Sequence, residues 1–365
     1  MKLSDFDYAL PGERIAQRPL AERDASRLLL LGRDSGGWQD CAFRELPGLL
    51  RGDELIVVNN TRVLPARLFG RRVGVRSEAP GKTSRARREH LQAGIEVLLV
   101  REVEPGVWDA LVRPGRKMRT GERVVFGEGE LEAEVLDRGE YGLRRLGLKS
   151  RGPLREAIER LGHIPLPPYI DRPDDPGDRE RYQTIFASRE GAVAAPTAAL
   201  HFSSQVLDAL RQRGVEMCEI TLHVGLGTFQ PIHTDTVEEH VMHAERYEIP
   251  EATAHRIIAA KRDRRPVLAV GTTVVRALED SAQKAQAAGG RSLLLAGPGD
   301  AEIFIRPGHT FRVVDQLLTN FHLPQSTLLV LVSAFAGREM ILAAYRHAVE
   351  AEYRFYSYGD CMLIR

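Results

Sequence analysis

Cysteine is nearly missing from this chain. Cys41, Cys218 and Cys361 are odd in number and far apart. A disulfide framework needs pairs and a cysteine-type zinc site needs close spacing, so the number and spacing argue against both. Long hydrophobic runs are also missing. The longest, TLLVLVSAFAG (327–337), is too short for a bilayer span of about 20 apolar residues. The opening MKLSDFDYAL has early acids and no apolar segment. No secretory signal is therefore expected, and the cytoplasm is the expected compartment. Lysine is scarce, with 6 against 45 arginines. Asparagine occurs only at Asn59, Asn60 and Asn320. Asparagine serves caps and turns well, but a chain that uses it so rarely marks three places where an amide is kept. There is no internal repeat and no low-complexity tract.

What remains is an ordinary globular balance: 365 residues, 43% hydrophobic and 28% charged, long enough for two domains. The net charge of +1 is unevenly spread. Arg62 to Arg119 carries 14 Lys and Arg against 6 Asp and Glu, a net of +8, so the remainder carries −7. A basic segment on an acidic remainder suits a phosphate-facing surface. The excess of arginine over lysine is equally the mark of a codon bias, and both readings stand at this point.

Apolar runs at RLLLLG (27–32) and DELIVVNN (53–60) predict buried strands. Residues 67–150 then alternate in short segments, IEVLLVREV, VWDALVRP, ERVVFG, ELEAEVL and YGLRRLGL, punctuated by glycine and charge. That pattern predicts a small antiparallel barrel. SEAPGKTSRARREHLQAG (77–94) reads as a flexible basic excursion within it. From residue 153 helices and strands alternate. Helices are expected at SSQVLDALRQRG, capped by Ser203 or Ser204, at PEATAHRIIAAKRDR, and at TTVVRALEDSAQKAQAAGG, opened by Thr272 or Thr273. Strands are expected at VEMCEITLHVG, PVLAVG, AEIFIRPG and CMLIR. The fold class is α/β: a large α/β domain built from residues 1–62 and 152–365, with a small antiparallel β-barrel domain, 63–151, inserted between them.

Several stretches carry candidate chemistry. In GAVAAPTAALHF (191–202) tiny side chains precede His201, and Pro196 forbids a smooth helix or central strand. Such a segment lets a backbone come close to another segment or to a ligand. ITLHVGLGTFQPI (220–232) runs a strand into a glycine-rich turn with His223 before it and Phe229 after it. It lacks the third glycine of a dinucleotide fingerprint. AVGTTVVRALE (269–279) ends a strand at Gly271 and opens a helix with Arg276 one turn in, which reads either as an anion site made of free N–H groups or as a plain threonine cap with a surface arginine. TNFHLPQST joins Asn320 to His322, FYSYGDCMLI brings Tyr356, Tyr358 and Asp360 together, and HIPLPPYIDRP exposes Tyr169. His223, His233, His240 and His243 cluster within 21 residues. No helical i, i+4 histidine pair appears, so no metal site is expected.

Taken in order, NNTRVLPARL, HIPLPPYIDRP, GAVAAPTAALHF, TLHVGLGTFQPI, VGTTVVRALE, TNFHLPQSTLLVLVSAFAG and YRFYSYGDCMLI closely resemble the S-adenosylmethionine:tRNA ribosyltransferase-isomerase family. The resemblance runs from DFDYALP to the last strand, and all three asparagines fall inside it. Two departures stand out: the 77–94 segment is longer than the family's usual hairpin, and Ala199 stands where the family typically has glycine. The resemblance implies a barrel inserted in a larger α/β domain. It implies transfer of the ribosyl part of S-adenosylmethionine to 7-aminomethyl-7-deazaguanine at the tRNA wobble position. Isomerisation then gives epoxyqueuosine-tRNA, with adenine and methionine leaving. S-adenosylmethionine is a consumed cosubstrate; no tightly bound cofactor, membrane or obligate protein partner is expected.

Under that resemblance the base is His201 or His223, with Asp360 a second candidate acid or base. Thr272, Thr273 and Arg276 hold the methionine carboxylate or a phosphate. Asn59, Asn60, Asn320 and His322 bond nucleoside edges or ribose hydroxyls. Phe229 or Tyr358 stacks on a base. Arg62 and Thr197 join the substrate-binding set. The alternatives are a non-catalytic tRNA-binding protein with the same fold, and a nucleosidase or methyltransferase using the same cosubstrate. The missing methyltransferase glycine loop weighs against methyl transfer.

Overall fold

A computed structural model describes residues 1–73, 94–139, 142–225, 234–242, 244–290 and 292–365. Nearly all of the 77–94 excursion lies outside these residues. Strands are numbered along the chain. The large sheet holds β1 (Arg27–Gly32), β2 (Gly37–Ala42), β3 (Leu55–Asn59), β12 (Glu216–Leu222), β13 (Glu245–Ile249), β14 (Val267–Val270), β15 (Gly297–Ala301), β16 (Gln316–Asn320) and β17 (Cys361–Ile364). Its order is β15-β13-β12-β3-β14-β16-β17-β1-β2. β12, β3, β14 and β16 run parallel, and direction reverses between β16 and β17. β3, β14, β16 and β17 are buried at every position, as strands covered on both faces must be.

The two faces separate by strand alternation. Leu29, Leu31, Leu55, Val57 and Leu317 join one core with the helices Thr272–Ala287, Thr327–Ala336 and Arg338–Glu350. Leu28, Leu30, Ile56, Val58 and Leu318 join the other, with the helix Ser204–Gln212. That helix is capped as expected, Val206 N–H donating to Ser203 Oγ at 3.2 Å. Among the described residues no single helix is long and apolar enough to cross a membrane. Thr327–Ala336 and Arg338–Glu350 pass such a test only as a pair, bent by 115°.

Between the two parts of this sheet in sequence lies a closed barrel: β5 (Arg67–Arg72), β6 (Gly94–Glu104), β7 (Val107–Arg113), β8 (Arg123–Phe126), β9 (Leu131–Arg138) and β10 (Leu143–Ser150), ordered β10-β7-β6-β5-β8-β9 and antiparallel throughout. Alternate residues point inward, among them Ile95, Val97, Leu99, Trp108, Ala110 and Val112. Ile158 of the helix Leu154–Leu161 packs on this core. A short parallel pair, β4 (Thr61–Val63) with β11 (Arg189–Ala192), completes the strands described.

Two local expectations change, and one strand was not foreseen. The strand expected at AEIFIRPG ends at Ala301, because β15 pairs with β13 only from Gly297 to Ala301. β2 escaped notice because it is an exposed edge strand without an apolar alternation. The helix at 272 does begin there, but neither threonine hydroxyl caps it; Gly271 occupies the cap position with φ +92°.

Candidate functional site

β14 and β16 are parallel neighbours in register at Val270 and Leu318. Ligands of α/β sheets bind beyond the carboxyl ends of such strands. Here β14 turns through Gly271 into the helix Thr272–Ala287, and a positive φ of 92° favours glycine at that corner. β16 runs out through Asn320 toward His322. A cavity of about 450 Å³ opens over these two ends, within the roughly 300–1,000 Å³ usual for small-molecule sites. Six of the seven stretches that carry the family resemblance reach it, through Tyr169, Ala195, Val224, Thr272, Asn320 and Tyr356. Among the described lining residues none is Asp, Glu, Lys or Arg.

The alanine run forms one wall: Ala194, Ala195, Pro196, Thr197 and Ala198 all line the cavity. His201, at the end of the same segment, does not. It lies behind Asn320, buried, with Nδ1 at 2.7 Å from Ser26 Oγ and Nε2 at 3.3 Å from Asn320 Nδ2. Burial first, despite the Asn320 hydrogen bond, pulls its pKa down to about 4. Asn320 Nδ2 also donates to the Tyr356 carbonyl at 2.9 Å, while its Oδ1 is buried without a partner. Thr273 Oγ1 is in the same condition. His322 lines the cavity with Nε2 at 2.9 Å from Thr319 Oγ1, and burial lowers its pKa to about 3. Tyr8 O–H donates to its carbonyl at 2.5 Å, and its own N–H donates to Tyr345 Oη at 3.0 Å.

The other expected site residues sit elsewhere, each for a visible reason. His223 is half-buried against Thr61 Oγ1 at 2.8 Å; burial, then the Arg246 charge, lowers its pKa. Its ring fills the space at Gly191, where a Cβ would come within 2.7 Å. Asp360 accepts the Arg27 and Arg354 N–H groups at 2.9 and 2.8 Å, and burial raises its pKa against those bonds. Neither lines the cavity. Arg276 is occupied by a buried ion pair with Glu245 and by the Ala301 carbonyl at 2.8 Å. Asn59 exchanges bonds with the Leu222 backbone and accepts the Thr61 N–H; Asn60 bonds Glu219 and Thr221. Both amides stitch β3 to β12. Tyr358 donates to Asp178 Oδ1 at 2.7 Å, and Asp178 pairs with Arg172. Arg62 is exposed on β4. Phe229, like His233 and His243, lies outside the described residues. Among the described residues no group of three His, Cys, Asp or Glu side chains could hold a metal ion.

Sequence reasoning did not pair Tyr169 with Tyr356. Tyr169, expected as an exposed aromatic, is half-buried; its hydroxyl lies 2.6 Å from Ser357 Oγ and its ring 4.0 Å from that of Tyr356. Both rings line the cavity. They come from segments 187 residues apart (356 − 169), and no pattern in either segment indicates the pairing.

Comparison with known proteins agrees with this arrangement along the whole chain. A family model described as "Queuosine biosynthesis protein" matches residues 3–364. The chain is 55% identical to the S-adenosylmethionine:tRNA ribosyltransferase-isomerase of Solibacter usitatus and 50% identical to that of Syntrophotalea carbinolica, each alignment covering 100% of both chains. The crystal structure of S-adenosylmethionine tRNA ribosyltransferase from Thermotoga maritima matches with a TM-score of 0.53 at 34% identity, over 99% of this chain and 100% of that one. A match spanning nearly every residue, with its motifs gathered around one cavity, places this chain in the queuosine biosynthesis protein family.

Proposed function

We infer that this protein is an S-adenosylmethionine:tRNA ribosyltransferase-isomerase. It moves the ribosyl part of S-adenosylmethionine onto 7-aminomethyl-7-deazaguanine at the tRNA wobble position and isomerises it to the epoxycyclopentanediol, releasing adenine and methionine. The convergence of six motif stretches on one cavity carries this reading. S-adenosylmethionine is consumed as a cosubstrate, and the tRNA substrate makes the cytoplasm the working compartment.

The reaction begins with loss of a proton from the ribosyl 5′ carbon. The adjacent sulfonium stabilises the resulting carbanion as an ylide, so a neutral imidazole can serve as base. His322 is the only histidine lining the cavity among the described residues, and its burial keeps it neutral. We assign it the proton, in place of His201, His223 and Asp360. Tyr169 and Tyr356 offer ring faces to a nucleobase at the cavity wall. The wobble base must leave the anticodon stack to reach such a recess.

The RNA backbone needs cations that are not already paired. Arg113, Arg116 and Arg119, at the turn between β7 and β8, are exposed and have no ion-pair partner among the described residues. Replacing all three with alanine is expected to weaken tRNA binding and to flatten its salt dependence, by about one unit of log–log slope for each phosphate no longer neutralised. S-adenosylmethionine binding stays unchanged. Filter binding over a salt series reads the first effect and calorimetry the second. An unchanged salt slope would move the RNA track off this turn.

The function itself is tested by incubating the protein with S-adenosylmethionine and tRNA bearing the aminomethyl-deazaguanine, followed by mass spectrometry of nucleosides and small products. Epoxyqueuosine with stoichiometric adenine and methionine is the expected result. Adenine without RNA modification would indicate a nucleosidase. No turnover by a folded protein that still binds tRNA would indicate a binding module.

A further inference from the structure

The outer face of the barrel carries an exposed aromatic ring beside cations. Phe69 of β5 is 55% exposed, against 38% for Trp38. Its ring lies 5.1 Å from that of His163, at an interplanar angle of 73°. We propose that Phe69 and His163 form a stacking platform for one unstacked base of the tRNA anticodon loop, outside the cavity that takes the wobble base. The inference rests on the reading above, under which the substrate is a tRNA.

Strand alternation puts the ring there. Leu68 packs in the barrel core, so Arg67, Phe69 and Arg71 point outward. One exposed phenylalanine would mean little by itself; its surroundings give it a use. The T-shaped contact occupies one face of one ring and one edge of the other, so each ring keeps a face for a third. His163 is held in place for this. Its N–H donates to the Arg67 carbonyl at 2.8 Å, and its carbonyl accepts the Arg67 N–H at 3.2 Å. Its Nδ1 lies 2.9 Å from Asp174 Oδ1, and Asp174 Oδ2 accepts the Ile164 N–H at 3.0 Å. An imidazole fixed in this way costs little further order when a base arrives.

Charge selects a nucleic acid over another apolar partner. Phe69 is the register partner of Glu96 on β6, and Glu96 is that of Arg113 on β7. Arg113 is therefore two strand spacings from Phe69, roughly 10 Å. Glu96, between them, is paired with Arg67, Nε to Oε1 at 3.2 Å. Arg71 and Arg113 are exposed and have no ion-pair partner among the described residues. A ring flanked by such guanidinium groups suits a single strand, whose bases stack while its phosphates meet the cations. Arg113 also begins the turn that continues with Arg116 and Arg119, so platform and phosphate track are continuous.

One loop joins the platform to the cavity. His163 lies six residues before Tyr169, which lines the cavity. Six residues span at most about 20 Å. Arg67 ties the middle of this loop to the barrel, its Nη2 donating to the Leu166 carbonyl at 3.0 Å. A wobble base seated against Tyr169 therefore keeps other bases of its own loop close to Phe69. Extruding one base costs stacking with its neighbours, and a ring that receives one of them offsets part of that cost.

The test pairs changes in the full chain with changes in the tRNA, read by filter binding over a salt series. Phe69→Ala is expected to weaken tRNA binding by about 5- to 100-fold, the usual loss when a ring beneath a base is removed. Its salt slope stays that of wild type, because no phosphate contact is lost. Phe69→Trp is expected to bind at least as tightly as wild type. Phe69→Leu, apolar but without a ring face, is expected to bind as weakly as Phe69→Ala. S-adenosylmethionine affinity stays unchanged in all three. An abasic residue is then placed at each anticodon-loop position in turn. At one position the losses from the abasic residue and from Phe69→Ala are expected not to add. Phe69→Ala or Phe69→Leu at wild-type affinity, or full additivity at every position, overturns the platform and leaves the enzyme assignment standing. So does a dimer of the chain that dissociates in Phe69→Ala, which would give this face to a second copy. Failure of the wild-type protein to bind or modify the tRNA overturns the enzyme assignment and the platform together.

Discussion

Turnover is expected to fall by about two to four orders of magnitude when His322 is replaced by glutamine, the usual contribution of a positioned general base. Glutamine preserves a polar side chain beside Thr319 Oγ1 but cannot take up the proton. Affinity for S-adenosylmethionine should change little, so the loss falls on kcat, read as the rate of adenine release under saturating substrates. A variant with wild-type kcat would remove His322 from the chemistry. The pH behaviour follows from the same burial. The folded pKa of His322 is about 3, below the ordinary 6.5. Its contribution to stability is therefore complete above pH 6.5 and is lost as pH falls from 6.5 toward 3, where the unfolded chain binds the proton that the folded one refuses. His201 acts in the same direction between 6.5 and about 4. The expected acid limb is thus unfolding, visible by circular dichroism, before either imidazole is protonated in the folded site.

Replacing Arg276 with alanine is expected to lower stability by about 3–5 kcal/mol, the usual result of removing one partner from a buried ion pair. Glu245 is 3% exposed at its side chain and would lose the Arg276 guanidinium. Arg276 also donates to the Ala301 and Ile303 carbonyls, so it fastens the helix Thr272–Ala287 to β15 and the segment after it. Replacing Arg276 and Glu245 together with apolar residues of similar volume should recover most of the loss, because no charge is then stranded. Urea denaturation measures both effects. S-adenosylmethionine affinity of the folded single variant should be unchanged. Loss of that affinity at wild-type stability would make Arg276 a ligand-binding residue instead of a structural one.

These two residues show where sequence reasoning reached and where it stopped. Arg276 and His322 are both polar residues in family motifs, and a linear reading gives each a ligand. The structure separates them: Glu245, from a strand 31 residues earlier, satisfies Arg276, while His322 faces the cavity. The three rare asparagines divide in the same way. Asn59 and Asn60 commit their amides to β12 backbone and side chains. Asn320 gives its Nδ2 to the Tyr356 carbonyl and His201, and its Oδ1 has no hydrogen-bond partner among the described residues.

By itself the sequence determined the classes of element and their order. Alternation along β1 and β3 assigns side chains to opposite faces because strand geometry has period two. The short barrel segments read correctly for the same reason, and the Ser203 cap because its hydroxyl acts within one helical turn. The helix start at Thr272 was visible as a strand, a glycine and a helix in succession. Tertiary structure alone decided which polar groups were already satisfied. Hydrogen bonding saturates, and the partners of His201, Asn320, Asp360 and Arg276 come from segments distant in the chain. A side chain is available to a substrate only when folding has left it without such a partner, and that remainder is a property of the packed fold.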